Sequence, residues 1–399
     1  MNLLDILLVV AAVWFAVIGY RQGFVVGILS VIGFLGGGLA AVYLLPVLWD
    51  ELTDDAKPGT LGVLAAVVVV IVAASVGQAL TTHLGNQMRD HITWSPARAL
   101  DATGGALVNV LAMLLVAWLI GSALAGTSLP TVSKQVRDSK VLLGVSQVVP
   151  QQANTWFADF STVLAQNGLP QVFSPFSDEK ITSVPPPDPK LANSPVVAQA
   201  RKSIVKVVGT APGCGKVLEG TGFVFDRHRV MTNAHVVGGV DHPTVQIGGE
   251  GQRYQATVVL YDWERDIAVL DVPELDAPAL RFSDDDAATG SDAIIAGFPE
   301  NGPFDVRAAR VRDRIQANGP DIYHRGTVQR DVYSLYTTVR QGNSGGPLLT
   351  PDGKVYGVVF AKSLDDNHTG YALTADEVRP DIRRGRTADH PVDSQACAL

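Results

Sequence analysis

The chain has 399 residues, enough for two or three domains, of which 47% are hydrophobic and only 18% charged. That balance excludes an ordinary soluble composition and points to membrane segments. A net charge of −8 argues against a nucleic-acid partner.

Four apolar runs fill the first 125 residues, at 3–20, 24–45, 61–80 and 104–125. Each approaches the roughly 20 residues a helix needs to cross a bilayer. The first run does not read as a cleaved signal: it lacks a basic start, carries Asp5, and is followed almost at once by the second run. A buried soluble bundle is the alternative, but stretches such as 64–74 have no polar face. A four-helix transmembrane domain is therefore expected over 1–125, with the lipid bilayer as its partner. Arg21 follows the first run, and Arg89 and Arg98 follow the third. The loop after the second run holds Asp50, Glu51, Asp54 and Asp55 against Lys57. The positive-inside rule places the first and third loops in the cytoplasm and both termini outside. Gly33, Gly36, Gly37, Gly38, Gly104 and Gly105 permit close helix approach. Asp5, Gln78 and Asn109 read as glue between helices or as markers of a pathway.

Residues 126–195 read as a connecting region. Short helices are expected at 139–145 and 150–165, followed by a linker at 169–195 that contains the stiff stretch Val184-Pro185-Pro186-Pro187-Asp188-Pro189. From residue 203 the pattern changes to short β runs. One set lies at 203–208, 222–225, 229–232, 244–247, 254–261 and 267–272. The other lies at 293–296, 306–311, 326–328, 332–339, 348–349, 355–360 and 370–373. Two such sets with turn signals between them predict two β-barrels over 196–399. Residues 376–399 read as a polar tail. The two cysteines, Cys214 and Cys397, fall one near the first strand and one in that tail, and in an oxidising compartment they can bridge.

Three stretches carry chemistry. Gln341-Gly342-Asn343-Ser344-Gly345-Gly346-Pro347 lies between strand-like runs, so it reads as a tight loop. Small residues there let a substrate backbone approach and let N–H groups converge on a developing oxyanion; an ordinary glycine-rich hairpin is the alternative. Val230-Met231-Thr232-Asn233-Ala234-His235-Val236-Val237 brings a histidine to the end of an apolar strand, and Asp266 opens the buried-looking run Ile267-Ala268-Val269-Leu270. A serine hydroxyl is a poor nucleophile until a base takes its proton, and the base needs an acid to fix its tautomer. His235, Asp266 and Ser344 supply all three. Asp262, Glu264 and Asp271 compete with Asp266 only by proximity. His228 and His242 read as solvated loop residues, and a His235/His242 metal pair lacks a third ligand, so neither a metal nor another cofactor is expected.

TNAHVV, DIAVL and GNSGGP in this order resemble the trypsin-like serine proteases, especially the bacterial HtrA kind, over about the last 200 residues. That resemblance implies a chymotrypsin-like double β-barrel with the site between barrels. It makes Ser344 the nucleophile, His235 the base and Asp266 its orienting acid, with the Gly342 and Ser344 N–H groups as oxyanion donors. It also implies a primary pocket with Thr338 at its base and Phe360, Ala361 and Lys362 in its wall. No aspartate stands at that base to select Arg or Lys. The tail is too short for a PDZ domain, so the gated oligomer of HtrA proteases is not carried over. The stretches 19–24 and 99–106 resemble the colicin V production (CvpA) membrane family. The combination, with one cysteine in the first strands and one in the tail, resembles the actinobacterial membrane-anchored proteases of the MarP type. That resemblance implies a periplasmic endopeptidase acting on cell-envelope proteins, with a link to acid resistance. The competing reading is a membrane transport or scaffold protein whose protease-like domain only binds peptides. Self-cleavage in the linker, beside Leu169, Phe173 and Phe176, is a further expectation; the alternative is that the spacer only holds the protease domain off the membrane.

Overall fold

The structure, a computed structural model, describes residues 2–53, 60–89, 91, 94–125, 135–136, 138–149, 172–173, 179, 181–363 and 366–398. The helix expected at 150–165 lies outside them. The chain divides into two units, residues 1–121 with 139–147, and 122–138 with 148–399.

The first unit is helical: α1 Leu3–Gln22, α2 Phe24–Thr53, α3 Thr60–Arg89, α4 Ser95–Ala125 and the short α5 Lys140–Val148. The first four each contain a stretch long and apolar enough to cross a membrane, and their large side chains, such as Leu7, Val10, Trp14, Val72 and Leu111, face outward. Glycine sets the spacing of α2 against α3. A Cβ on Gly33 would lie 2.4 Å from the Gly77 carbonyl oxygen, and one on Gly77 would lie 2.3 Å from that of Gly33. Beside this contact Gln78 donates to the Ser30 hydroxyl at 2.9 Å, which makes it glue between helices. Asp5 is also glue between helices, through their ends. It completes a capping box with Asn2 at the start of α1, and it accepts from the Ser139 hydroxyl at 2.7 Å and the Val141 N–H at 3.2 Å at the start of α5. One buried carboxylate thus serves the free N–H groups of two helices.

In the second unit the first sheet contains β1 Ile204–Ala211, β2 Lys216–Asp226, β3 Arg229–Thr232, β4 Thr244–Ile247, β5 Arg253–Gln255, β6 Thr257–Asp262 and β7 Ile267–Asp271. Its order is β5-β4-β1-β2-β3-β7-β6. The two edge strands, β5 and β6, are neighbours in the chain, so the sheet curls round on itself without a ladder that closes it. The second set, β8 Asp292–Gly297, β9 Asp305–Pro320, β10 Thr327–Tyr336, β11 Pro347–Leu349, β12 Val355–Lys362 and β13 Thr369–Thr374, forms a closed barrel in the order β10-β13-β12-β11-β8-β9. The two expected barrels are therefore one curled sheet and one closed barrel.

Each has its own apolar interior. Val205, Val224, Val245 and Leu270 fill the first, and Ile295, Val311, Leu335 and Leu348 the second. A further core joins them: Phe223, Met231 and Ile267 of the first sheet share one cluster with Ile294, Val332, Phe360 and Leu373 of the second. This shared apolar seam holds the corner after β3 against the loops of the second barrel.

Two expectations change. The polar tail begins with a helix, Ala375–Thr387, whose N-terminus is capped by the Thr374 hydroxyl accepting from Glu377 N–H at 3.1 Å. Val378 and Ile382, four residues apart, bury its apolar side in the shared core. Charged neighbours and Pro380 mask that short stripe in the sequence. Part of the expected linker is also seated on the second barrel. Val172 is buried, Phe173 meets the Tyr371 ring edge-on with centroids 5.5 Å apart, and the Thr182 carbonyl accepts from Arg312 at 2.8 Å. Apolar residues flanking a proline run find a surface to cover.

Candidate active site

His235 stands in the single helical turn Ala234–Val237, directly after β3. Asp266 closes the turn between β6 and β7 with a left-handed φ of 62°, a conformation uncommon outside glycine, asparagine and aspartate. Asp266 is fully buried, and both its carboxylate oxygens are used on His235. Oδ1 accepts from the His235 backbone N–H at 2.9 Å, and Oδ2 lies 2.7 Å from Nδ1. An ionised carboxylate only accepts, so Nδ1 carries the proton and Nε2 is left as the acceptor, the form a general base requires.

The turn that carries Asp266 is held from three sides. Asn233 Nδ2 donates to the Asp266 carbonyl at 2.7 Å. Arg265 donates to Asp262 at 3.0 Å and to Glu377 of the C-terminal helix at 3.1 Å. Arg330, buried on β10 of the second barrel, donates to the Glu264 carbonyl at 2.8 Å. Burial raises the Asp262 carboxyl, but the Arg265 N–H and guanidinium together with Arg384 outweigh it and hold it below the usual range. Burial pushes Asp381 up, to about 6, and the neighbouring Asp262 charge adds to this against Arg384. Reading the sequence identified none of Asn233, Arg330 and Glu377 as part of this frame.

Ser344 is buried in the loop between β10 and β11. Its hydroxyl donates to the Phe360 carbonyl at 3.4 Å, and no hydrogen bond joins it to His235. The segments that carry them approach closely through neighbouring residues instead. A Cβ on Gly345 would lie 3.0 Å from the Asn233 nitrogen, and one on Gly220 would touch both the Val236 side chain and, at 3.1 Å, the Ser344 carbonyl oxygen. Gly342 and Gly345 take φ of 92° and 82°. A side chain at either would be strained and would also meet backbone at 2.3 Å or closer.

The peptide groups of this loop can be accounted for one by one. The carbonyls of Gln341, Gly342, Asn343 and Ser344 accept from Glu300 N–H, the Thr221 hydroxyl, Gly346 N–H and Thr221 N–H at 2.8, 2.6, 3.0 and 2.9 Å. Asn343 N–H donates to Arg340 at 3.1 Å and Gly345 N–H to Val359 at 2.8 Å. Gly342 N–H and Ser344 N–H make no hydrogen bond among the described residues. In a trans peptide the N–H points opposite to the carbonyl. The anchored carbonyls of Gln341 and Asn343 therefore aim these two donors away from their anchors. Two fixed, unpaired donors flanking a serine can stabilise an oxyanion.

The residues expected to line a pocket differ in exposure. Thr338 is half-buried and Lys362 exposed, while Phe360 and Ala361 are fully buried. The Phe360 ring lies in the shared core, so it meets Ser344 through its carbonyl, where a bulge interrupts the β12–β13 ladder between Val359 and Ala361. Arg340 lies 4.0 Å from Glu300 on the surface. Cys214 and Cys397 form a disulfide with Cα atoms 6.4 Å apart. It fixes the tail beside the residues after His235, where Gly239 N–H donates to the Ser394 carbonyl at 3.2 Å.

Comparison with known proteins agrees with this architecture. Residues 4–150 match the family model described as colicin V production protein, and residues 220–358 match the trypsin-like peptidase domain. Serine protease Rv3671c of Mycobacterium tuberculosis is 39% identical over 396 residues, 99% of this chain and 98% of its own. The crystal structure of the protease part of that protein in its active form is 46% identical, with a TM-score of 0.54, and covers 57% of this chain and 100% of its own. A probable periplasmic serine endoprotease of the DegP-like kind from Chlamydia pneumoniae is 34% identical over 150 residues, 37% of this chain and 29% of its own. The chain belongs to the trypsin-like serine proteases that carry a colicin V production domain ahead of the protease, the family of the mycobacterial serine protease Rv3671c.

Proposed function

We propose that this serine protease is an endopeptidase held at the cell membrane by its four apolar helices, with the protease domain on the outer, periplasmic side. We divide it into a membrane domain over 1–125, a connecting region over 126–195 and a protease domain over 196–399. Ser344 attacks the scissile carbonyl, His235 takes its proton and returns it to the leaving amine, and Asp266 holds the imidazole in the required tautomer. The N–H groups of Gly342 and Ser344 receive the oxyanion. The acyl-enzyme is then hydrolysed by water through the same steps. Thr338, Phe360, Ala361 and Lys362 border the primary pocket. The observation that carries this reading is the pair of unpaired, anchored N–H groups at Gly342 and Ser344 beside the Asp266–His235 couple.

The substrates are proteins of the cell envelope, and the role is resistance to acid stress, as the resemblance to MarP-type proteases suggests. The outward placement is supported by Arg21, Arg89 and Arg98 against Lys57 alone and by the disulfide, which persists in oxidising compartments. The protease also cuts its own chain within 169–195, outside the proline run at 185–187.

The test is the full-length Ser344→Ala variant assayed on casein. Loss of a triad nucleophile costs on the order of 10⁶ in turnover. Equal hydrolysis by wild type and variant would refute the mechanism, and a wild type that binds casein without cutting it would leave peptide binding as the role of the domain. A shorter species that accumulates equally in both would assign the linker cut to another protease.

A further inference from the structure

Thr221 lies on β2 of the first sheet, fully buried, yet four hydrogen bonds tie it to both halves of the site. Its hydroxyl accepts from Phe298 N–H at 3.0 Å and contacts the Gly342 carbonyl oxygen at 2.6 Å. The first bond decides the direction of the second. A backbone N–H can only donate and a carbonyl only accept, so the hydroxyl proton points at Gly342. The Thr221 N–H donates to the Ser344 carbonyl at 2.9 Å, and its own carbonyl accepts from the Thr232 hydroxyl at 2.7 Å, next to the corner that carries His235.

The two carbonyls that Thr221 holds belong to Gly342 and Ser344, the residues whose N–H groups remain unpaired. A glycine at φ 92° is free to rotate, so a fixed orientation there requires an anchor. The close approach is built in on both sides. A Cβ on Gly345 would lie 2.1 Å from the Thr221 carbonyl oxygen, and one on Gly297 would lie 2.6 Å from its hydroxyl. We infer that Thr221 is a positioning residue for the oxyanion site. From the opposite sheet it fixes the carbonyls of Gly342 and Ser344, and so the two peptide planes on either side of the plane that carries the Ser344 N–H, the first of them also adjoining the plane that carries the Gly342 N–H; clamped neighbours keep both donors in register with the corner bearing His235. This rests on the reading of Ser344 as nucleophile and adds to it a residue outside the three motifs.

A buried threonine that merely satisfied backbone groups would affect folding and leave turnover unchanged. The test therefore measures kcat and KM separately, on the full-length chain in detergent with a quenched-fluorescent casein-derived peptide, for Thr221→Val, Thr221→Ser and Ser344→Ala. Valine keeps the shape and loses both hydroxyl bonds; serine keeps them. Thr221→Val is expected to lower kcat about 10–100-fold, less than removal of an oxyanion donor itself. KM should stay within about threefold, and Thr221→Ser should restore most of the turnover. An unchanged kcat, a loss confined to KM, or a serine variant as slow as the valine one would overturn the inference. A second measurement covers a valine variant that does not fold. In a structure of the wild type with a peptide aldehyde bound to Ser344, the Thr221 hydroxyl must remain within hydrogen-bond distance of the Gly342 carbonyl while the aldehyde oxygen sits on the two N–H groups; a broken contact overturns it. If Ser344→Ala hydrolyses like the wild type, the underlying mechanism fails. If Ser344→Ala is inactive and Thr221→Val fully active, only the role of Thr221 fails.

Discussion

Asp266 grips His235 at two points, one carboxylate oxygen on the backbone N–H and the other on the imidazole. The side chain therefore fixes the position of the helical turn as well as the tautomer of the ring. An asparagine can keep only part of this, because its NH₂ group would face an N–H donor. Asp266→Asn should fold and lose about 10⁴ in kcat, the scale on which a wrong tautomer acts. Steady-state kinetics with a casein-derived peptide, alongside circular dichroism, checks both halves. Activity within about tenfold of wild type would argue against the role of Asp266.

The disulfide spans 183 residues of sequence, from the β1–β2 connection to the tail. In the chain-entropy view, closing a loop of that length stabilises by about 5 kcal/mol. Replacing both cysteines by serine should lower the denaturation midpoint by a corresponding amount. Wild-type protein unfolded without reductant should show no free thiol.

Asp381 titrates where it bears on stability. It is buried in the C-terminal helix, with Oδ1 bonded to Arg384 and Oδ2 without a partner among the described residues. Its folded value of about 6 lies above the unfolded one, so the stability it contributes is full below about pH 4 and is lost as pH rises through about 6. Asp262 has the opposite sign: its lowered value adds stability above the ordinary carboxylate range, lost on acidification. Asp381→Asn mimics the protonated form. Relative to wild type it should gain thermal stability between pH 5 and 7, on the order of a carboxylate titration width, and match it near about pH 4. Parallel melting curves across that range would show that Asp381 does not titrate there.

Primary specificity should favour uncharged, apolar side chains. Thr338 at the expected pocket base is half-buried and neutral, and Arg340 is directed at Glu300. A peptide-library profile dominated by Arg or Lys would contradict this.

The sequence alone determined the elements whose signal is local. Four apolar stretches near bilayer length, the change to short β runs after residue 203, and the strand–loop contexts of His235, Asp266 and Ser344 are all readable along the chain, because hydropathy, periodicity and turn chemistry act between near neighbours. The C-terminal helix was missed because its buried face is only Val378 and Ile382 amid charge, and what makes it a helix is the shared core it covers. Val172 and Phe173 likewise read as linker until the second barrel offers them a surface. Only the tertiary structure decided that one barrel closes and the other curls, since closure depends on ladders between strands far apart in sequence. It also decided which groups frame the site. Arg330 reaches the turn before Asp266 from another barrel, and Thr221 meets Gly342 across 121 residues of chain. A buried polar side chain takes its role from whichever backbone group lies within about 3 Å, and that distance is set by packing.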